Sequence, residues 1–138
     1  MSQLILPATE SDLSEILRLA KGLDLDIVDI SWKQFVVAKK GNRIIGIGRL
    51  REYPECTEVA TVGVTEPERH KGIGTALVNE LIRTGPAILY VACVIPEFFL
   101  RFGFEKVKQY PPVLQKKVDF CKLYDFKDEQ IFIMKISR

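Results

Sequence analysis

The passage from Glu58 to Arg83 constrains this chain most. Glu58-Val59-Ala60-Thr61-Val62-Gly63-Val64 is apolar and rich in β-branched residues, the composition of a largely buried strand. A short polar link leads to Arg69-His70-Lys71-Gly72-Ile73-Gly74. From there Ile73, Leu77, Val78, Leu81 and Ile82 fall at helical spacing, until Gly85-Pro86 stops the run. A strand, a glycine-bearing turn and a helix in this order leave the first helical amides unpaired, at the positive end of the helix dipole. Glycines remove the Cβ atoms that would hold a ligand off the backbone, and Arg69 and Lys71 add positive charge. A diphosphate suits such a turn. An ordinary connection whose glycines serve only tight packing suits it equally, and six residues do not separate the two.

Two common phosphate loops are excluded. The dinucleotide fingerprint needs a third glycine or alanine where this chain has Leu77, and the Gly-Lys-Ser/Thr of the nucleotide-triphosphate loop is absent. A length of 138 residues predicts one domain over 1–138, large enough for a hydrophobic core. No apolar run reaches the roughly 18 residues of a membrane span, and Met1-Ser2-Gln3-Leu4 lacks a signal-like start, which makes the cytoplasm the default compartment. A net charge of +2 argues against nucleic acid as a partner. Residues 101–138 carry 9 basic and 5 acidic side chains against 11 and 13 in residues 1–100, an excess that suits an anionic ligand or a solvated surface. Cys56, Cys93 and Cys121 are far apart and odd in number, which predicts small buried hydrophobes rather than a disulfide or a zinc site.

The remaining elements follow in order. Leu4 to Leu6 reads as a strand closed by Pro7. Thr9 then caps a helix, with Asp12 at its third position, whose apolar face is Leu13, Ile16, Leu17 and Ala20 and which ends near Gly22. Leu23 to Trp32 is ambiguous. A short second helix with Asp24, Asp26 and Asp29 on a solvated face is favoured over a metal loop, since calcium-loop spacing is missing. Gln34 to Lys39 and Arg43 to Arg51 form a hairpin around Lys40-Gly41-Asn42, and Ile45, Ile47, Arg49 and Arg51 share one face. Arg49 and Arg51 read as surface charge or as a paired grip on a substrate carboxylate. Ile88 to Val94 is a further buried strand, Pro96 begins a short helix capped by Gly103, and Phe104 to Val107 is a strand. Val113 to Tyr124 reads as a helix and Ile131 to Ile136 as the last strand. The sum is an α/β (α+β) chain with a mixed sheet of about seven strands and helices on both faces.

Arg69-x-x-Gly72-x-Gly74 between a strand and a helix resembles the cofactor motif of the GNAT family, the Gcn5-related N-acetyltransferases. Val62-Gly63-Val64 precedes it as that family's fourth strand does, and Phe98-Phe99-Leu100-Arg101-Phe102-Gly103-Phe104 looks like the family's aromatic corner. The resemblance implies a mostly antiparallel central sheet whose fourth and fifth strands splay apart, with acetyl-coenzyme A as donor and no metal. It implies that the cofactor's diphosphate lies on Arg69, His70, Lys71, Gly72, Ile73, Gly74 and Thr75. Its pantetheine arm would then pair with the backbone of Val62, Gly63 and Val64 and pass Phe98 and Phe99. His70, the sole histidine, reads as a loop spectator.

Acyl transfer to an amine needs the free base, so a proton acceptor is useful. Glu58 is the candidate, on the strand face that period two assigns to Ala60, Val62 and Val64; the alternative is a strand-end glutamate paired with Arg51. Where many members carry a tyrosine able to protonate the leaving thiolate, this chain has Phe99, which leaves that role to water, Tyr90, Tyr110 or no group. Glu58-Val59, the Phe-Phe corner and Tyr110-Pro111-Pro112 with Lys117 and Phe120-Cys121 are similar to the acetyltransferase domain of N-acetylglutamate synthases. That likeness implies an amino acid or similar small amine as acceptor, with Arg49 or Arg51 on its carboxylate. A protein or peptide amine is the second acceptor class, and a module that binds acyl-coenzyme A without turnover is the non-enzymatic reading. Dimers are common in the family, so a homodimer is an expectation.

Overall fold

Segments rich in β-branched residues form the central strands of the N-terminal half. The computed structural model describes residues 4–118 and 131–138. The chain divides into two compact units, one of residues 1–51 and 59–84, the other of residues 52–58 and 85–138.

β1 (Leu4–Pro7), β2 (Phe35–Lys40), β3 (Arg43–Glu52) and β4 (Thr57–Val64) lie in that order, and all of their residues but Glu52, Thr57 and Glu58 belong to the first unit. β1 pairs antiparallel with β2, Leu4 opposite Lys39 and Pro7 opposite Val36. Pro7 is tolerated because β1 is an edge strand. β2 and β3 close on a two-residue turn, with Lys40 opposite Arg43 and Gly41 at φ +63°. A positive φ at the first turn position matches strand twist and favours glycine. α1 (Leu13–Gly22) packs Ile16, Leu19 and Ala20 against Phe35, Val37, Ile44 and Ile47. Thr9 opens it as expected, but through a 3₁₀ turn (Glu10–Asp12), with its amide donating to Asp12 Oδ2 at 2.8 Å. α2 (Ile73–Thr84) buries Ile73, Leu77, Val78 and Leu81.

The expected helix over Leu23 to Trp32 does not form; the segment is a run of turns ending in a 3₁₀ turn, Trp32–Gln34. Asp24 and Asp29 adopt φ of +56° and +54°, and the Asp26 carboxylate accepts from the Val28 amide at 2.9 Å, an Asx turn. Its aspartates do not make a solvated helix face either. Arg51 donates to Asp26 Oδ2 at 3.3 Å and to Asp29 Oδ2 at 3.0 Å.

Arg49 is 0% exposed, so it is not surface charge. Its Nε donates to Thr61 Oγ1 at 2.8 Å and one terminal nitrogen to Gln34 Oε1 at 3.0 Å, while the carbonyls of Asp26 and Asp29 lie at 3.5 Å. Thr61 passes the bond on, donating to the Asp26 carbonyl at 2.9 Å. Thr61 sits inside β4 at φ +53°. This region costs a β-branched residue on the order of 1–3 kcal/mol and persists only where neighbours hold it. It also interrupts the strict alternation from Glu58 to Val64, so a shared face does not follow from period two.

In the second unit β5 (Ile88–Cys93) pairs antiparallel with β7 (Phe132–Ser137), and β7 with β6 (Glu105–Lys106). α3 (Pro96–Leu100) has Arg101, not the expected Gly103, at its C-cap; Gly103 lies in the turn that follows, at φ +102°, and Phe99 meets Phe104 edge to face at 5.8 Å. Residues 115–118 are helical after a 3₁₀ turn at Pro112–Leu114; the rest of the helix expected to Tyr124, and Cys121, lie outside the described residues. Cys93 is buried and its thiol is pushed up to about 11, chiefly by desolvation; burial raises Cys56 as well.

Two stability outcomes follow from these contacts. Arg49→Leu should cost about 3 kcal/mol, because Thr61, Gln34 and Asp26 lose a buried partner. Urea unfolding measures it, and a loss below about 1 kcal/mol, the worth of an exposed pair, would contradict the buried network. Asp12 is held below the ordinary carboxylate range, first by the Thr9 amide and also by Lys39 at 3.1 Å. Its folded value lies below its unfolded one, so it adds stability above the carboxylate range and loses it as pH falls through the folded value. Asp12→Asn should therefore be less stable than the parent at about pH 6, with the difference shrinking as pH falls below the ordinary carboxylate range. A pH-independent difference in urea midpoint would count against it.

Candidate functional site

The turn between β4 and α2 is built by packing beneath it. Ile73 is 3% exposed and lies with Leu77 over Gly46 of β3. A Cβ at Gly46 would stand 3.0 Å from Leu77 Cδ1 and 3.2 Å from Ile73 Cγ2, so a side chain there would crowd the side chains by which α2 packs on β3. The turn itself is exposed over Arg69, His70, Lys71 and Gly72. His70 and Gly72 have φ of +65° and +82°, and a Cβ at Gly72 would meet nothing within 4 Å. The Ala76 amide donates to the Gly72 carbonyl at 3.0 Å, so the amides of Ile73, Gly74 and Thr75 precede the helix's hydrogen-bond ladder. An open surface over such amides suits an anion.

The cations are less available than their number suggests. A 3₁₀ turn, Glu66–Glu68, follows β4, and its Glu68 is 4% exposed. Glu68 accepts from Lys40 Nζ at 3.0 Å and from Lys71 Nζ at 3.1 Å. Those two bonds hold its carboxyl below the ordinary range. Arg69 Nε donates to the Val64 carbonyl at 3.0 Å, which ties the turn back to the end of β4. The backbone amides therefore carry more of the attraction for an anion than charge counting suggests.

Val62, Gly63 and Val64 are half-buried. A Cβ at Gly63 would stand 2.7 Å from Leu25 Cδ1 and 2.8 Å from Leu23 Cδ1, so glycine here admits the 23–25 segment. Arg49 and Arg51 face acceptors of their own chain, as described. Phe99 is buried and Phe98 half-buried, with rings edge to face at 5.0 Å.

Glu58 belongs to the second unit, at the start of β4, and is 1% exposed. Two side chains contact its carboxylate. Tyr53 Oη donates to Oε1 at 2.9 Å, and Lys117 Nζ lies 2.9 Å from Oε2. The bend between β3 and β4 brings Tyr53 back, its amide donating to the Cys56 carbonyl at 2.7 Å. Tyr53, Cys56 and Tyr110 pack around a core of Tyr90, Leu114 and Ile133. Sequence reading missed three residues here. Tyr53 was within reach, since Tyr53-Pro54-Glu55 is a turn signal five residues from Glu58. Lys117 is distant in sequence, and Thr61 looks like any strand threonine. Among the described residues no group of three or more His, Cys, Asp or Glu side chains is placed to hold a metal ion.

The Acetyltransferase (GNAT) family model matches residues 6–104. No curated protein matches the chain. Among solved structures, N-acetylglutamate synthase from Neisseria gonorrhoeae, complexed with coenzyme A and N-acetyl-glutamate, superposes with a TM-score of 0.77 at 17% identity; the match covers 100% of this chain and 36% of that one. Rv2747 from Mycobacterium tuberculosis, in complex with CoA, gives 0.78 at 18% identity, covering 98% and 99%. Arabidopsis thaliana Naa50 in complex with a bisubstrate analogue gives 0.65 at 17% identity, covering 100% of both chains. This chain thus spans about a third of the length of the Neisseria enzyme. The superpositions show the fold: the mixed seven-stranded sheet with helices expected from the sequence.

Proposed function

The chain belongs to the GNAT acetyltransferase family, and from that premise we propose that it is an acetyl-coenzyme A-dependent N-acetyltransferase acting on the amine of a small molecule, an amino acid being the first acceptor class to test. The observation that carries the reading is the turn at positions 69–75, exposed over 69–72, whose last amides precede the α2 ladder and whose Gly72 leaves its outer side open. Acetyl-coenzyme A supplies an activated acetyl group and a thiol leaving group. The amides of Ile73, Gly74 and Thr75, with Arg69, hold its diphosphate. The backbone of Val62 to Val64 hydrogen-bonds its amide arm as an added strand does. Glu58, oriented by Tyr53, takes the proton that the acceptor amine must lose.

Gly74→Asp tests the turn. Aspartate in the first helical turn favours the helix, so the variant should fold with a melting temperature near the parent's. Its charge and bulk would occupy the anion position, and coenzyme A should bind at least about tenfold more weakly by calorimetry, a loss of about 1.4 kcal/mol. Unchanged affinity in folded protein would remove the turn from the site.

Glu58→Gln tests the base. Thiol release from acetyl-coenzyme A, read with amino acids, polyamines and peptides as acceptors, gives both the acceptor class and the rate. Losing a general base should slow the neutral-pH rate by about 10²-fold or more, with partial recovery at high pH where free amine is abundant. Rates equal to the parent's at every pH would clear Glu58 of the role. No release with any acceptor, alongside tight coenzyme A binding, would favour a binding module.

A further inference from the structure

The same carboxylate already has an amine in front of it. Lys117 Nζ stands 2.9 Å from Glu58 Oε2, inside the roughly 2.6–3.2 Å that a general base needs from the nitrogen it deprotonates. Resting on the acetyltransferase reading above, we propose that Lys117 is an acetyl acceptor in its own right, modified on Nζ by this chain with Glu58 as base.

The placement is held from several sides. Glu58 is 1% exposed, and the Tyr53 hydroxyl fixes its other oxygen, so Oε2 is the one presented to Lys117. Lys117 follows the 3₁₀ turn Pro112–Leu114, whose Leu114 is 0% exposed in the core with Tyr90 and Ile133. Its own side chain is only 20% exposed. The chain contains two useful contrasts: Lys40 and Lys71 also contact a carboxylate, at 3.0 and 3.1 Å, but that of Glu68, and their side chains are 52% and 50% exposed. A plain buried salt bridge is the competing explanation, and such pairs contribute little net stability. Only the acceptor role ends in a covalent change.

The step balances without a further reactant. Glu58 takes one proton from the Lys117 ammonium. The neutral amine attacks the thioester carbonyl carbon, forming C–N as C–S breaks. The nitrogen's second proton goes to the departing thiolate, giving free coenzyme A, and Glu58 returns its proton to solvent. The product amide is uncharged, so modification removes the ammonium from beside Glu58.

The full chain, incubated with isotope-labelled acetyl-coenzyme A and mapped by peptide mass spectrometry, tests this. Label should reach Lys117 at least tenfold faster than Lys40 or Lys71, although both are more exposed. Glu58→Gln should abolish that preference, and so should unfolding the parent in urea, which keeps the test valid if the variant folds poorly. Label on the exposed lysines with Lys117 bare, while the amine panel still turns over, would overturn the proposal and leave the acetyltransferase reading standing. Labelling of Lys117 as fast in the unfolded chain as in the folded one would reduce it to spontaneous chemistry and also overturn it. No thiol release from any acceptor, with Lys117 bare, would remove both.

Discussion

A guanidinium with no exposed surface must find acceptors within the protein, and Arg49 draws much of the first unit around itself. Burying an unpaired charge is too costly to persist. Thr61, Gln34 and the backbone at Asp26 and Asp29 supply what water no longer does. Among the described residues no buried side-chain nitrogen or oxygen lacks a partner. The network has a conformational effect as well. It holds Thr61 at positive φ within β4, and it fixes the turns of 23–34 beside Gly63, where only a missing Cβ leaves room for Leu23 and Leu25. The shape of β4 before the 69–75 turn is therefore tied to a residue on the neighbouring strand.

Much of this was legible from residue pattern. The strand at Glu58–Val64, the α2 face and the hairpin at Gly41 appear within a residue or two of where spacing placed them. Local chemistry decides such elements: period, β-branching, glycine and proline. The 23–32 segment was misread because its apolar and acidic residues fit a helix face equally well. Here the aspartates form an Asx turn and left-handed turn residues and also serve as acceptors for Arg51, a use that helical spacing does not reveal. The positive φ of Thr61 within β4 has no signature in residue pattern either. Glu58 was found, but its partners were not both findable: Tyr53 is close in sequence, and Lys117 arrives from the C-terminal part.

Several charges close to the 69–75 turn and to Glu58 are already paired within the protein. Glu68 takes Lys40 and Lys71, Asp26 and Asp29 take Arg51, and Glu58 takes Lys117. Counting lysines and arginines in the 69–75 turn therefore overstates what a ligand would meet, while counting amides does not. Backbone donors are fixed by the fold and need no rearrangement to receive an anion. Around Glu58 the pairing has the opposite meaning. A carboxylate that has closed on an ammonium shows the geometry in which it would remove a proton from an amine.

The central claim is that the amides opening α2 receive the diphosphate of an acyl carrier. Backbone ¹⁵N–¹H spectra of the full chain, titrated with coenzyme A, test it most directly. The account predicts that the largest and saturable shifts fall at Gly72, Ile73, Gly74 and Thr75, and that inorganic diphosphate moves the same amides. Saturable binding that leaves those four amides unmoved would contradict it.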